Sequence, residues 1–552
     1  MRRRTILALL LGALACNDAS APPPPPPPTP APLPVHFAIL PAVDTVTIGD
    51  TVTFFAQRAD STVDQWTVSD SGVARISEHQ HNWARVGTRG FGIGWVTITA
   101  RRQNDSAQAT LLVVPSLRIG PLPDSVFVGT LLLVEAYGWN FRSVDWSLSD
   151  SSVATITAVR ETRAYVLTRA AGTLTITFSY GGATARATVV VREPRPGEFE
   201  TIDLGLLGAS QGWAFGIGDD GSVVGRLETP GMKARGFVYK NGTMHALPAS
   251  GFDDSPMVVG PSGQIAGIAS ILYGSISHAV IWDTPDAAPR LLDENVSSVI
   301  GINEHGDVLI AGWYGDPTKG LASRAVLWRN NVPVNLGSLS DSTIVTPSTS
   351  PKAWNSRGQI VGSSEVTQVA DTTGRGTRVA HPFIWENGVM RDLGVLEPFP
   401  CPNVATPANC ARGGAMDINV HGVVVGGVSD ARGFSRAFIW ENGVMRDLGF
   451  GANSEAIAIN DRGQVLVTVG NHAYLWENGQ VQTISFEGVL GALGPNGEVI
   501  GWGGGASFLW QAGQRLPLGP GEYRALNGHG EIVGWQGCCY DTRPVLWRMK
   551  SR

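Results

Sequence analysis

Near-identical segments occur at two places in this chain. Residues 437–449 read Ala-Phe-Ile-Trp-Glu-Asn-Gly-Val-Met-Arg-Asp-Leu-Gly, and residues 382–394 differ only in their first residue, where Pro382 replaces Ala437. Weaker copies run from about residue 200 to the C-terminus. Such a repeat predicts units that pack against one another, because one short unit cannot bury its apolar surface alone. Most of the chain is therefore predicted to be one repeat array.

Each unit of the array begins with a turn that ends in glycine. This glycine occurs in every unit, as Gly221, Gly263, Gly306, Gly358, Gly422, Gly463, Gly497 and Gly530. Three positions earlier the residue is only Gly or Asn: Gly218, Gly260, Asn303, Asn355, Asn419, Asn460, Gly494 and Asn527. Because both residue types tolerate a positive φ, we predict a backbone requirement at that position and a tight four-residue hairpin.

An aromatic strand follows in every unit. The equivalent aromatic residues are Tyr239, Trp282, Trp328, Trp385, Trp440, Trp476, Trp510 and Trp547. Both faces of this strand are apolar, which predicts burial on both sides. An Asn-Gly hairpin then leads into a last strand, at 241–242, 387–388, 442–443 and 478–479. Each unit is therefore predicted to be a meander of four short strands.

Meanders that are apolar on both faces bury them by stacking around an axis as a β-propeller. We therefore predict an all-β chain in which residues 197–548 form a propeller of eight four-stranded blades. The eighth unit stops at Trp547 and Arg548, and residues 200–205 resemble the last strand that it lacks. The two ends of the array are expected to share one blade. The alternatives are seven blades with one degenerate unit, and an open solenoid.

Two consecutive segments before the array alternate apolar and polar residues between turns. They predict antiparallel β-sandwiches over 36–115 and 116–193. Each contains Trp-x-x-Ser-Asp-x-x-Val-Ala, starting at Trp66 or Trp146, and we interpret these tryptophans as core anchors. The segments resemble bacterial immunoglobulin-like domains of the second group. That resemblance implies spacer or adhesion modules on exported proteins.

The array units approach the pattern Ala-x-x-Ile-Asn-x-x-Gly-x-Val-Val-Gly, followed by His-Ala-Phe-Leu-Trp, which is that of a known family of repeats. The best matches are 415–426 with 436–440, and 456–465 with 472–476. With this pattern the array resembles the HAF-type extracellular repeats. The resemblance implies an extracellular location and brings no established chemistry.

The N-terminal sequence predicts export. Three arginines follow Met1, and the apolar stretch 6–14 is shorter than the ~20 residues that span a bilayer, so we predict a signal peptide over 1–15. Its Ala-Leu-Ala ending before Cys16 resembles a bacterial lipobox, which implies a lipidated Cys16. Ordinary cleavage near residue 15 is the alternative. The proline run within 16–35 predicts an extended linker. The expected location is the bacterial cell envelope or surface, or the medium.

The bulk charge argues against one class of partner. Charged residues make up 16% of the chain, and its formal net charge at pH 7 is −6. A nucleic-acid partner favours a basic patch, so we predict none.

A column of cationic residues lies four positions before the aromatic residue. Its members are Arg235, His278, Arg324, His381, Arg436, His472 and Arg543. They are candidates for an anionic ligand. They also recur in step with the scaffold, which favours a structural role at the end of each strand.

Other candidate chemistry in the sequence is sparse. The segment 208–212 has the Gly-x-Ser-x-Gly form of a hydrolase elbow around Ser210, but that motif needs a following helix and we expect a strand. No metal or cofactor motif appears, so none is predicted. The long insertions 364–380 and 395–414 are the loops where a binding site is most expected.

Four cysteines follow the signal region. Cys401 and Cys410 flank a short insertion, and in an exported protein a disulfide between them is expected. Cys538 and Cys539 are adjacent, so a vicinal bridge, pairing elsewhere and free thiols all stay open.

These patterns favour a non-enzymatic, monomeric lipoprotein that binds an extracellular protein or polysaccharide. An extracellular glycan-active enzyme is the second hypothesis, with paired carboxylates in a channel as its signature. A purely structural envelope protein is the third.

Overall fold

The fold is known from a computed structural model of the chain. It describes residues 37–57, 63–88, 93–103, 105–138, 144–271, 276–294, 296–316, 320–340, 347–366, 379–398, 411–484, 488–503, 506–537 and 541–550. Over these ranges the regular structure is β-strand with no helix, so the predicted all-β class is confirmed. The chain divides after Pro115 into two compact units, and the second begins at Ser116.

The first unit contains a two-sheet sandwich. Its strands are β1 (Ala38–Leu40), β2 (Val43–Thr47), β3 (Thr51–Gln57), β4 (Gln65–Val68), β5 (Ala74–Gln80), β6 (Trp83–Thr88), β7 (Gly94–Arg102) and β8 (Asp105–Val114). One sheet has the order β1-β3-β6-β5 and the other β2-β8-β7-β4. Alternate residues of each strand point inward, and Phe54 and Trp66 are buried in the shared core. Trp66 is thus a core anchor, as predicted.

The second unit opens with a similar sandwich. Its strands are β9 (Arg118–Ile119), β10 (Ser125–Phe127), β11 (Leu131–Tyr137), β12 (Asp145–Leu148), β13 (Ala154–Arg160), β14 (Arg163–Thr168), β15 (Gly172–Tyr180) and β16 (Ala183–Arg192). The sheets have the orders β10-β16-β15-β12 and β13-β14-β11-β9. Trp146 packs on the core with its ring centroid 4.8 Å from that of Phe178, so it is also a core residue.

The repeat array follows in the same compact unit. Its strands are β17 (Phe199–Asp203), β18 (Gln211–Ile217), β19 (Val223–Glu228), β20 (Arg235–Lys240), β21 (Thr243–Ala246), β22 (Asp253–Val259), β23 (Ile265–Ile271), β24 (Ile276–Trp282), β25 (Arg290–Glu294), β26 (Val296–Ile302), β27 (Val308–Asp316), β28 (Gly320–Arg329), β29 (Val332–Asn335), β30 (Thr349–Trp354), β31 (Ile360–Val366), β32 (Val379–Glu386), β33 (Val389–Asp392), β34 (Gly413–Ile418), β35 (Val424–Ser429), β36 (Ser435–Glu441), β37 (Val444–Asp447), β38 (Ser454–Ile459), β39 (Val465–Val469), β40 (His472–Glu477), β41 (Gln480–Ile484), β42 (Val489–Leu493), β43 (Val499–Gly503), β44 (Ala506–Gln511), β45 (Gln514–Pro520), β46 (Glu522–Leu526), β47 (Ile532–Gln536) and β48 (Arg543–Met549).

Eight four-stranded sheets are formed by the described residues of the array. The first seven are uninterrupted meanders, from β18-β19-β20-β21 to β42-β43-β44-β45. The eighth sheet has the order β17-β48-β47-β46. In it the first strand of the array pairs antiparallel with the last, with Thr201 opposite Trp547. The strand that the eighth unit lacks is therefore supplied from the other end of the array, as residues 200–205 predict.

Neighbouring sheets bury their faces against each other. One core cluster joins Ala266 of the second sheet to Ile310 of the third. Another joins Phe237 of the first sheet to Val533 and Leu546 of the eighth. The equivalent aromatic residues in the third strands are buried or half-buried, and Trp282 and Trp547 have no exposed surface. These contacts are the burial on both faces that the apolar strand pattern predicts.

In each of the eight array sheets, the strand before the glycine turn contains a β-bulge that the sequence analysis missed. In the first sheet, for example, the register shifts between Ala214 and Gly216. The bulge explains much of the recurrent Val-Val-Gly sequence. A Cβ atom on Gly225 would lie 2.0 Å from the carbonyl oxygen of Trp213 in the facing strand. Glycine is needed there because that oxygen occupies the space of a side chain.

Candidate functional site

The two ends of each sheet in the array differ in their connections. At what we call the turn end lie the glycine turn between the first two strands and the hairpin between the last two. At the loop end lie the connection between the middle strands and the connection to the next sheet. Both long predicted insertions belong to the loop end, because they follow a second or a fourth strand.

The predicted cationic column lies at the loop end, and part of it forms ion pairs within the sheets. His381 Nδ1 lies 2.8 Å from Asp392 Oδ2 on the adjacent fourth strand. Arg436 pairs with Asp447 in the same way. Burial raises the pKa of Asp392, but its hydrogen bonds with His381 and the Gly394 N–H outweigh this effect and hold the pKa below its ordinary value. These side chains lock the third strand to the fourth.

Arg543 makes the same contact with a residue from the start of the array. Its Nε and Nη2 atoms donate to Asp203 Oδ2 at 3.1 and 2.8 Å. The two side chains have relative exposures of only 14% and 19%. Asp203 lies on β17. This strand therefore replaces the fourth strand of the eighth sheet in two ways: it pairs through its backbone, and it supplies the carboxylate that the fourth strand supplies in other sheets.

The other four members of the column have different surroundings. Arg235 and His472 are exposed. Arg324 is half-buried and already has an interaction partner. His278 is buried, with its ring 5.2 Å from that of Phe252. These three side-chain pairs favour the structural interpretation for His381, Arg436 and Arg543, while a ligand role for the column stays a prediction.

At the turn end, the predicted reason for the Gly or Asn position is wrong. Positive φ angles of 75° to 84° occur at the eight turn-ending glycines, but at none of the eight residues three positions earlier. Asparagine acts there through its side chain. Asn419 Oδ1 accepts hydrogen bonds from the backbone N–H groups of His421 and Val423, each at 3.0 Å. Its Nδ2 donates to the carbonyl oxygen of Asn460 in the next sheet at 3.3 Å.

This inter-sheet hydrogen bond recurs along the array. The bonds run from Asn355 Nδ2 to Asn419 O at 2.9 Å, from Asn460 Nδ2 to Gly494 O at 3.0 Å, and from Asn527 Nδ2 to Gly218 O at 3.2 Å. The last of them joins the eighth sheet to the first. Asparagine is suited to this position because one side chain accepts from its own turn and donates to the next.

Clefts open between turn ends at two junctions. The cleft between the eighth and first sheets has a volume of about 330 Å³ and is lined by Asp219, His529, Glu531 and Arg548, among others. In it Glu531 accepts hydrogen bonds from Arg548 at 2.6 Å and from Asn527 at 2.8 Å. The Glu531 carboxylate therefore already has partners on both of its oxygens.

The equivalent cleft between the second and third sheets has a volume of about 290 Å³. Its lining includes Gln264, Asp283, Arg290, His305 and Trp328. Here two buried polar atoms, Gln264 Oε1 and Trp328 Nε1, have no hydrogen-bond partner among the described residues. The sequence analysis missed this site. The signal available to it was a recurrent polar residue directly after the turn-ending glycine.

Comparisons with known proteins place the chain in no family. No family model matches it, and no curated protein matches it. Solved structures resemble parts of it. The titin Ig tandem domains A164-A165 are 16% identical and cover 29% of this chain and 94% of that chain, with a TM-score of 0.14. Domains 5-6 of the S-layer protein SbsC are also 16% identical, covering 29% and 98%, with a TM-score of 0.13. TolB from Acinetobacter baumannii is 12% identical, covering 52% and 80%, with a TM-score of 0.28. TM-scores this low do not define the fold of the whole chain.

The second sandwich packs against the loop end of the eighth sheet. The Leu131 N–H donates to Gln536 Oε1 at 2.7 Å, and the Thr157 hydroxyl donates to Asp541. Burial raises the pKa of Asp541, although the Thr157 hydrogen bond opposes the shift. A Cβ atom on Gly129 would lie 2.0 Å from the carbonyl oxygen of Thr201 on β17. The sandwich therefore touches β17, the end of β47 and the connection that leads into β48.

An apolar cluster lies on the outer face of the β13-β14-β11-β9 sheet of the second sandwich. Its buried residues are Leu131, Tyr165 and Leu167. Their counterparts in the first sandwich, 80 positions earlier, are Thr51, Arg85 and Gly87. Two similar domains thus differ at the face that one of them packs against the array.

The serine of the elbow-like motif has a structural contact. Ser210 Oγ donates to the backbone carbonyl of Glu228 at 2.9 Å. The strand β18, rather than a helix, follows it. The geometry that a nucleophile elbow needs is therefore not found at Ser210.

Several predicted features lie outside the described residues. They are the signal peptide and lipidation site at Cys16, the cysteines Cys401, Cys410, Cys538 and Cys539, and most of both insertions. Within the described ranges, no group of three His, Cys, Asp or Glu side chains could hold a metal ion. The same ranges contain no helix long and apolar enough to cross a membrane.

Proposed function

We propose that the eight sheets close into a β-propeller that binds an extracellular polysaccharide without chemical conversion. The pair between Asp203 and Arg543 carries the closure, because it repeats at the ends of the array the contact that His381 makes with Asp392 inside one sheet. The hydrogen bond from Asn527 to Gly218 supports it, since it continues the inter-sheet series from the eighth sheet to the first.

Binding is supported by the turn-end clefts. They lie at junctions of a rigid scaffold, are polar, and have volumes of about 290 and 330 Å³, close to the lower limit of small-ligand sites. Clefts at more than one junction suit a polymer, because a repeating ligand can contact several weak sites at once. The overall affinity for the polymer is then higher than the affinity of any single cleft.

The rest of the chain serves display in this proposal. Cys16 carries lipid, the proline-rich linker extends from the membrane, and the sandwiches act as immunoglobulin-like spacers. A lipid anchor followed by a proline-rich linker and two spacer domains places the propeller where large polysaccharides can reach it. Replacing Cys16 with Ser is expected to move the protein from the membrane fraction to the medium.

The full chain, purified from membranes in detergent, tests this function on a panel of polysaccharides immobilised on beads. We expect retention of at least one polysaccharide with no release of new reducing ends. Release of reducing ends would favour the enzyme hypothesis. Retention of none would favour a structural envelope protein.

A further inference from the structure

The cleft between the second and third sheets differs from its equivalents because Gln264 has lost its usual partners. In the fourth sheet, the matching Gln359 accepts from Asn355 at 2.8 Å and donates to Glu386 at 3.1 Å. Gln464 of the sixth sheet has the same pair of contacts, with Asn460 and Glu477. These bonds hold the amide in place.

In the second sheet both of these partners are replaced. Gly260 stands where the donor asparagine would be, so no side chain or backbone group of the described residues donates to Gln264 Oε1. Asp283 stands where the glutamate would be, but Arg290 holds its carboxylate with two hydrogen bonds of 2.8 and 2.9 Å. Gln264 is therefore left with an unsatisfied acceptor at the edge of the cleft.

A second unsatisfied atom lines the same cleft. Trp328 Nε1 is buried and has no acceptor among the described residues. The matching Trp282 donates to the carbonyl oxygen of Pro248 at 2.8 Å, whereas Nε1 of the matching Trp547 is buried, like that of Trp328, without a partner among the described residues. A buried polar group without a hydrogen-bond partner destabilises the fold by about 1–3 kcal/mol, and native proteins contain few such groups. Two of them line this cleft, and a ligand that bonds to both would offset that cost.

The charges of the cleft argue against an ionic ligand. Arg290 is neutralised by Asp283 and also donates to Asn331 Oδ1 at 2.6 Å, so its guanidinium is fixed as a planar polar wall. A ligand must therefore supply one hydrogen-bond donor, for Gln264 Oε1, and one acceptor, for Trp328 Nε1, beside the indole ring. A sugar meets them, because each hydroxyl both donates and accepts and its C–H faces pack on aromatic surfaces.

We propose that this cleft is the primary subsite for a neutral saccharide unit, with Gln264 Oε1 accepting from one sugar hydroxyl and Trp328 Nε1 donating to a sugar oxygen. The inference rests on the proposed function and adds the ligand class and the position of the site. The cleft between the eighth and first sheets, with its partnered Glu531, is the matched comparison.

The test uses the full chain and calorimetric titration with neutral hexasaccharides of glucose, mannose and N-acetylglucosamine. Gln264→Leu and Trp328→Phe each remove one polar contact and keep most of the side-chain volume. Each is expected to weaken binding about five- to tenfold, as the loss of one hydrogen bond implies, without lowering the melting temperature of the free protein. The control is Met232→Leu, at a side chain that is 72% exposed at the loop end of the first sheet, and it is expected to leave the affinity unchanged.

Binding that survives both substitutions at full strength overturns the site, while the proposed binding function stands. Binding of charged polysaccharides alone overturns the neutral ligand class. A wild-type chain that binds no saccharide overturns the proposed function itself. The three outcomes are distinguished by the titrations of the wild type and the two variants together with the bead-bound polysaccharide panel, which includes charged polymers.

Discussion

Arg543 donates two hydrogen bonds to Asp203, although the two residues are 340 positions apart in the chain. The same contact joins neighbouring strands in the fifth sheet, where Arg436 pairs with Asp447. A local sheet contact has thus been reproduced between the two ends of the array. In that position it resists separation of the terminal strands, because opening them leaves a mostly buried guanidinium without its carboxylate.

Replacing Asp203 with Asn is expected to loosen the terminal strand pair. The substitution removes the charge partner of Arg543, and a hydrogen bond to a charged group contributes about 1.5–3 kcal/mol. We expect faster hydrogen exchange over 199–203 and 543–549, measured by mass spectrometry. The control is Asp447→Asn, whose effect stays within the fifth sheet. Unchanged exchange over 199–203 would contradict the role of this pair.

The asparagine series predicts separate effects for its two hydrogen-bonding functions. Asn460→Asp keeps the acceptor for the Arg462 and Gln464 N–H groups but loses the donor to Gly494 O and to Gln464 Oε1. Asn460→Gly loses both. We expect destabilisation by about 1 kcal/mol for the first variant and about 2–3 kcal/mol for the second, measured by urea unfolding. An Asn460→Asp variant as stable as the wild type would show that the lost donor contributes nothing, and equal losses in the two variants would show the same of the turn bonds.

The packed face of the second sandwich predicts a change in unfolding cooperativity. Leu131→Thr and Tyr165→Arg together place the residues of the first sandwich at the interface. We expect calorimetry to resolve a separate, lower transition for the second sandwich, since about 1.5–3 kcal/mol is lost for each large apolar side chain exposed. Thr51→Leu in the first sandwich is the control and is expected to change neither transition. A single shared transition in the double variant would argue against the interface.

Asp417 predicts a pH-dependent stability. Its carboxylate accepts hydrogen bonds from the Ile418 and Ile459 N–H groups, each at 2.8 Å, yet burial raises its pKa from 3.8 to about 6. A raised folded-state pKa means that the ionised form is disfavoured in the fold. The resulting penalty is absent below about pH 4, grows as the pH rises, and reaches about 3 kcal/mol above pH 6.

Asp417→Asn removes that ionisation while keeping one acceptor oxygen. We expect the variant to be no more stable than the wild type near pH 4 and more stable near pH 7.5, as judged by urea midpoints. The gain is expected to fall below about 3 kcal/mol, because one hydrogen bond is weakened. A difference between variant and wild type that does not change with pH would show that Asp417 is not the titrating group.

The sequence predicts the scaffold well because its signals are periodic and local. The aromatic strand, the turn-ending glycine and the displaced strand at 200–205 each follow from residue type and spacing, and each is found. The role of Asn419 could not be predicted, since its donor reaches a residue that only the packing of neighbouring sheets brings near. Gln264 was missed for a similar reason. Its Oε1 atom lacks a partner because a glycine lies four residues earlier and because the Asp283 carboxylate is hydrogen-bonded to Arg290.

The direct test of a closed array is a disulfide cross-link between its two ends. Glu200 and Arg548 are opposite one another in the β17–β48 pair, and cysteines at both positions are placed to form a bridge. After mild oxidation, peptide mapping of the monomer is expected to find a peptide that links residues 200 and 548. The control pair, cysteines at 200 and 386, is expected to form none. Failure of the 200–548 link in folded protein, or its formation only between molecules, would contradict the closed array.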